Sequence, residues 1–361
     1  MDTRRAAILS VLSSVSLACS AHAVDLDATM PFSVTPSDEP DVLGVVHERV
    51  RKIVVDDQRL YWSGTQIRPH DTTVWNLRSC EKRNCTATLV TYDAHPAFAE
   101  SNFTVISDQI YWHAWNSAQV LACPIMGCEG APRVVADNFS SQFTAFDDNN
   151  LFFSRDLLSI YRLPLREGGL LQQVAVAPSS MFPSLAVRGD YAYWLASTDS
   201  SNEGSLMRAR KDGSSAAVET ISTDARYSVN RPVDIAADAT SVYWTNNLLA
   251  GSIQRCPLTG CGGAPEVVLA PIRSPMALLI DGSELYYIHE TEPYEYALSS
   301  CSLPTCEPSN PLIEHLSANL VAVDDEYVYT ASTDQDTNPL SNNGDFFGKI
   351  RRIPKPDRSA P

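Results

Sequence analysis

The residues in this chain best equipped for chemistry are eight cysteines in four identical C-x4-C pairs: Cys80/Cys85, Cys123/Cys128, Cys256/Cys261 and Cys301/Cys306. Thiols at that spacing can close small disulfide loops or hold a metal ion. Zinc sites favour C-x2-4-C with a second pair close by, whereas here each pair stands alone in its own stretch of chain. The pairs read as local disulfides, the default in an oxidising compartment, with metal binding as the alternative.

A second group of reactive residues sits in segments of varied length. Residues 63–76 carry His70, Asp71 and Trp75, and residues 196–204 carry Asp199 and Glu203. Residues 289–297 carry His289, Glu290, Glu292, Tyr294, Glu295 and Tyr296, and residues 332–347 carry Asp334, Asp336, Asn338 and Asp345. Aromatic rings beside carboxylates and amides can grip a glycan or peptide by stacking and hydrogen bonding. A solvated acidic rim has the same composition, because loops are polar by default. The candidate ligand-binding set is His70, Trp75, His289, Glu290, Tyr294, Asp334 and Asp336. No G-x-S-x-G elbow, H-E-x-x-H helix or glycine-rich phosphate loop occurs, so no catalytic residue, metal or cofactor is assigned.

What must position these residues is a sevenfold repeat. Each copy reads apolar run, Asp-centred turn, then an apolar-aromatic-aromatic triplet: Leu60–Trp62, Ile110–Trp112, Leu151–Phe153, Ala192–Trp194, Val242–Trp244, Leu285–Tyr287, and a variant ending Val328–Thr330. The middle aromatics are 50, 41, 41, 50, 43 and 43 residues apart, close to the roughly 40–45-residue period of a four-stranded propeller blade. The clearest copy gives Asp234–Ala237 as inner strand and Val242–Thr245 as second. Ser252–Cys256 alternates as third strand, and Glu266–Leu269 follows as the outer one. Two large rings per triplet, pointing to opposite faces of a strand, can pack on both neighbouring blades. The recurrent Asp56, Asp108, Asp147, Asp190, Asp238, Asp281 and Asp324 fit a turn device, since Asp bonds its own downstream backbone. The fold expected is an all-β seven-bladed propeller over residues 42–361. Its cysteine pairs fall at the turns between third and outer strands, where the copies lacking them have Leu163, Ala209 or Arg210, and Ile353.

The seventh copy ends after a third strand at Gly348–Ile353, and an orphan strand, Val42–Val46, precedes the first copy. Pairing the two closes the ring and covers two loose edges. A calcium cage in the axial channel would need carboxylates near the inner-strand starts. Those positions are Ile53, Thr104, Thr144, Ser184, Asp234, Ala277 and Val321, of which Asp234 alone is charged.

Residues 1–23 have the three parts of an export signal: Arg4 and Arg5, an apolar stretch from Ala6 to Ala18, and Ala21-His22-Ala23 as cleavage site. A lipobox-like reading would instead anchor Cys19 as an outer-membrane lipoprotein. Residues 24–41, acidic and rich in Pro, Ser and Thr, read as a flexible leader. The location expected is therefore secreted or periplasmic. A net charge of −16 repels phosphates and anionic lipid, which disfavours nucleic acid and membrane surfaces as partners. No apolar run reaches the ~20 residues of a membrane span. A monomer that binds a protein or glycan is the expected behaviour.

The blocks Val242–Asn247 with Gly251–Pro265, and Ile110–Trp115 with Val120–Pro132, resemble a group of secreted bacterial propeller-repeat proteins with CPxxGCGGAP-type cysteine hairpins. The triplet is also distantly similar to the YWTD repeat of lipoprotein-receptor propellers and to TolB-like propellers. That resemblance implies the fold and a role in protein binding. The chain departs from the receptor type in having seven copies where six are typical, Asn246 where the repeat's Asp would stand, and cysteines inside the blades. No receptor ligand residue is carried over.

Overall fold

The computed structural model describes residues 42–356 apart from 47, 69–71, 97–102, 115–117, 138–143, 155–157, 166–168, 179–180, 198–202, 216, 227–233, 262–263, 294, 308–310, 317–320 and 336–345. The expected signal, leader and Cys19 lie outside the described residues. Within them, the strands form seven four-stranded antiparallel sheets, the blades of a propeller. Blades one to six span 49–96, 103–136, 144–176, 181–226, 235–272 and 277–316, with strands in the order inner, second, third, outer. Blade seven takes its three inner strands from 322–354 and its outer strand from Val42–Val46, which pairs with Phe346–Pro354. The ring closes where the sequence placed it.

The triplets build the interfaces by a simple rule. The middle aromatic of one blade packs in the same cluster as the third residue of the next triplet. Tyr61 shares a cluster with Trp112, Tyr111 with Phe153, Phe152 with Trp194, Tyr193 with Trp244, and Tyr243 with Tyr287. These rings are almost wholly buried, each removing well over 100 Å² of apolar surface from water. Four disulfides form as paired, Cys80–Cys85, Cys123–Cys128, Cys256–Cys261 and Cys301–Cys306. The last three sit inside these inter-blade clusters. In the clusters of the blades without a disulfide, Leu163, Ala209 and Ile353 stand in the corresponding place. One packing position is thus filled either by sulfur or by hydrocarbon.

The turn aspartates do two jobs. One carboxylate oxygen accepts the backbone N–H groups two and three residues on, at Asp56, Asp147, Asp238 and Asp324. The other oxygen accepts the hydroxyl of the tyrosine five residues on: Tyr61 at 2.7 Å, Tyr243 at 2.9 Å and Tyr329 at 2.6 Å. In these three blades the D-x4-Y spacing ties the turn to its own second strand. Blade three has Phe152 in that place, and there Lys211 of the next blade donates to Asp147 at 2.9 Å. Lys82 reaches Asp324, and Lys355 reaches Asp281, in the same manner. Other blades put Ile125, Leu165, Leu258 or Leu303 at the position of these lysines, packed against the preceding blade's cluster.

The closing seam adds a buried polar cluster to apolar residues such as Val46, Val50, Trp62 and Tyr329. Glu48 lies in the short link between the closing strand and the inner strand of blade one, Arg49–Val55, and its side chain is wholly buried. It accepts hydrogen bonds from Trp62 Nε1 at 2.5 Å, Asn76 Nδ2 at 3.0 Å and Arg78 Nη1 at 2.6 Å. Two glycines make room for this link. A Cβ on Gly64 would stand 2.8 Å from the Glu48 side chain, and one on Gly348 would stand 2.6 Å from the Glu48 carbonyl oxygen. Across the seam, Lys82 donates to Asp324 at 2.5 Å and to the Asp56 carbonyl at 2.7 Å.

Two outcomes are expected. Glu48→Gln leaves Arg78 without its carboxylate in the interior, and should cost about 3–5 kcal/mol in chemical denaturation, the usual scale for breaking a buried ion pair. An effect below 1 kcal/mol would show that the seam does not depend on this contact. Burial pushes the pKa of Asp324 up, but Lys82, Tyr329 and two backbone amides outweigh it and hold the group at about 2. A carboxyl depressed in the folded state contributes stability that is complete above its unfolded pKa and fades as pH falls toward the folded value. Thermal stability should therefore decline from pH ~4 to ~2, with a shallower decline in Asp324→Asn.

Candidate functional site

Antiparallel blades sort their connections by face. Second-to-third loops and outer-to-inner connections gather on one side, here called the loop face. The Asp turns and cysteine turns gather on the other, the turn face.

On the loop face, His70, Tyr294 and Asp336 fall outside the described residues. Asp334 lies near the end of the second strand of blade seven, Tyr327–Gln335, opposite Phe347. The remaining three members of the expected set are built into strands. Trp75 is in the third strand of blade one, Thr72–Glu81, and is fully buried among Tyr61, Leu77, Phe103 and Trp112. His289 and Glu290 are in the second strand of blade six, Glu284–Glu292. The half-buried His289 ring tilts against Tyr287 at 5.5 Å, and its Nε2 is 3.1 Å from Ser299 Oγ. Burial pushes its pKa down, so it is neutral at physiological pH. Glu290 is 1 % exposed and accepts a hydrogen bond from Arg273 Nε at 3.2 Å. The structure thus draws Trp75 and Glu290 inward, as packing and bracing groups beneath the face.

The axial channel brings together a pair that the sequence reading half found. Asp234 immediately precedes the inner strand of blade five, Ile235–Ala237, and pairs with Thr245 through two hydrogen bonds. Lys52, on the inner strand of blade one, pairs with Ser63. Thr245 and Ser63 each follow the tryptophan of their triplet, so Asp234 and Lys52 sit at one depth in the ring. At that depth blade one carries Lys52, one place before the expected Ile53. The same registration, with the tryptophan as ruler, would have exposed it in the sequence.

Both groups are half-buried. Asp234 Oδ1 accepts from Ile235 N, and Oδ2 from Leu278 N on the inner strand of blade six, each at 2.9 Å. The Lys52 ammonium lies 5.4 Å from the centre of the Phe103 ring on blade two. Burial raises Asp234 to about 6, against the pull of the two amides and of Lys52. Burial lowers Lys52 to about 8, against the pull of Asp234. Each group senses the other's charge, and both are predominantly ionised at pH 7.

The turn face holds a cleft of about 620 Å³ between the first and last blades, lined by Asp57, Gln58, Lys82, Arg83, Tyr327 and Arg352 among others. Much of its charge is already engaged. Lys82 is bonded to Asp324, and the Arg352 guanidinium lies over Tyr327 at 5.0 Å. Among the described residues, no group of three or more His, Cys, Asp or Glu side chains is arranged to hold a metal. Nor is any helix there long and apolar enough to cross a membrane.

These features define a seven-bladed β-propeller with four internal disulfides. No model of a known protein family matches the sequence, and no curated protein matches it either. Its likeness is to solved structures. One is a puromycin-hydrolysing peptidase of Mycobacterium tuberculosis, at 12 % identity and TM-score 0.56, covering 91 % of this chain and 55 % of the peptidase. A prolyl endopeptidase matches at 11 % identity and TM-score 0.52, covering 81 % of this chain and 44 % of that one. A nidogen–laminin complex aligns at 13 % identity and TM-score 0.44, over 70 % of this chain and 93 % of the other. At these identities the likeness speaks for the fold alone. The chain spans about half the length of the two peptidases.

The coupling in the channel has a measurable consequence. In Asp234→Asn the Lys52 pKa should fall further below about 8, because the charge that supports its ammonium is gone. In Lys52→Met the Asp234 pKa should rise above about 6. Side-chain NMR titration reads both, and unchanged midpoints would mean that the two groups do not interact.

Proposed function

We propose that this chain is an exported, non-catalytic binding propeller that engages a protein or glycan through its loop face. The observation that carries this reading is the asymmetry between the two faces. The turn face is fastened by aspartate–backbone hydrogen bonds, inter-blade lysines and four disulfides. The loop face receives the segments of most varied length and chemistry, presented on a ring whose rigidity comes from the opposite side. A rigid scaffold displaying variable loops is the usual arrangement of a recognition surface. The N-terminal segment and the disulfides support export to an oxidising compartment, secreted or periplasmic. The net charge of −16 suits a basic protein or a neutral glycan.

A hydrolase or lyase is the second reading. What favours it is the Lys52–Asp234 pair, whose pKa values of about 8 and about 6 approach the range that acid–base catalysis requires. The peptidase likeness adds nothing to it, since roughly half of each peptidase has no counterpart here.

The test is a combined variant, His70→Ala, Tyr294→Ala, Asp334→Ala and Asp336→Ala, assayed on a glycan array and against proteins from the native envelope and culture fluid. Wild-type protein should show saturable binding, and the variant should lose it while circular dichroism stays unchanged. Full binding by the folded variant would overturn the loop-face assignment. Hydrolysis of peptide or ester substrates that disappears in Asp234→Asn would replace this reading with the second.

A further inference from the structure

Three blades repeat one small module. An arginine on the third strand stands directly across from the middle tyrosine of the triplet: Arg208 from Tyr193, Arg255 from Tyr243 and Arg352 from Tyr329. In blades four and five the outer strand sets a glutamate opposite that arginine. Arg208 donates to Glu219 at 2.6 and 2.9 Å, and Arg255 donates to Glu266 through two bonds of 2.9 Å. Arg208 also lies 4.3 Å from the centre of a further ring, Tyr191, as Arg352 lies 5.0 Å from that of Tyr327. Blade seven departs from the others at its outer strand. That strand is paired only as far as Val42, opposite Arg351, so no described residue pairs with Arg352 from that side. There the module opens on the cleft of about 620 Å³ between the last blade and the first, where Arg83 of blade one is a second cation. Among the described residues no carboxylate is bonded to either guanidinium.

We infer that this cleft is a binding site for a small molecule bearing a carboxylate, held by the Arg352 guanidinium over the Tyr327 ring. The chain supplies the template itself, since twice elsewhere it completes the same arginine with a glutamate side chain. A guanidinium fork fits a carboxylate through parallel hydrogen bonds, and a ring beneath the fork helps to hold it in place. The surrounding charge narrows the class. Lys82 and Asp324 satisfy each other, while Asp57, Asp325 and Glu326 stand exposed at the turns that border the cleft. These three carboxylates repel a phosphate or a polyanion more strongly than an acid of single charge. Facing water, they are screened by salt. An acidic amino-acid side chain and an acidic sugar both present the required group, and the test separates them. A ligand here would touch both blades that close the ring, so its binding should raise thermal stability. This site does not depend on the protein or glycan proposed for the loop face, and either can fail alone.

Saturation-transfer NMR and calorimetry on the full chain would test it, with acetyl-glutamate-amide and glucuronate as probes. Acetyl-glutamine-amide, glucose and inorganic phosphate serve as neutral and anionic controls. At least one acid should bind saturably, with the three controls far weaker, and which acid binds names the source. Arg352→Met should weaken that binding by about tenfold or more, the scale of a lost charge-assisted hydrogen bond. Arg352→Lys should retain part of it, as a point charge without the fork. Asp41, the residue before the closing strand, lies outside the described residues. Silence in the wild type that turns to binding in Asp41→Asn would sustain the site and identify the chain's own acid as its occupant. Silence from both acids in both proteins would overturn the inference. So would a control that binds as tightly, or binding that is unchanged in a folded Arg352→Met protein.

Discussion

The buried carboxylate of Glu48 is the contact on which the closed ring turns. At the other interfaces members of successive triplets share apolar clusters, a non-directional interaction that tolerates small slips, with directional contacts such as Lys211–Asp147 and Lys355–Asp281 added at some. The closing interface must join the first strand of the ring to the last, and there a buried carboxylate is added. Glu48 meets an indole, an amide and a guanidinium at once. Compared with well-packed hydrocarbon, a buried ion pair adds little net stability, but separating its members is costly. Glu48 therefore acts mainly by fixing the link between Val42–Val46 and the first blade, since its three partners all lie on strands of that blade. Exposed ion pairs elsewhere, such as Arg210 with Asp190, contribute little by comparison.

The architecture was legible because its causes are local and repeated. A triplet every 41–50 residues, an aspartate five places before a tyrosine, and two cysteines five places apart all act within one blade. The disulfide reading of the cysteines stands, and the turn reading of the aspartates is seen at Asp56, Asp147, Asp238 and Asp324. What escaped notice joins residues far apart in the chain. Glu48 finds its partners within blade one, and Lys52 and the lysines at 82, 211 and 355 find theirs on neighbouring blades, at separations that no periodicity reveals. The candidate site was legible only in part, for a related reason. Trp75, His289 and Glu290 were assigned to loops, but the second and third strands are longer than the apolar pattern suggests. In blade one they run Arg59–Arg68 and Thr72–Glu81, and in blade six Glu284–Glu292 and Glu295–Ser302. Polar residues continue those strands beyond the core, and hydrogen-bonded pairing, not hydrophobicity, sets where they stop.

The two faces and the axis divide the work among different kinds of interaction. Covalent bonds and short hydrogen bonds concentrate where the Asp and cysteine turns lie, aromatic burial holds the middle, and the opposite rim is left to vary. The channel is the exception, since it places opposite charges in a confined space where neither is fully solvated. Such placement is costly, and the backbone amides that grip Asp234 offset part of the cost while fixing the carboxylate in position.

Because the last blade borrows its outer strand from residues 42–46, the first and last strands of the ring depend on each other. Neither can complete its sheet without a neighbour some three hundred residues away along the chain. Deleting residues 42–46 or residues 346–354 would therefore damage the same sheet.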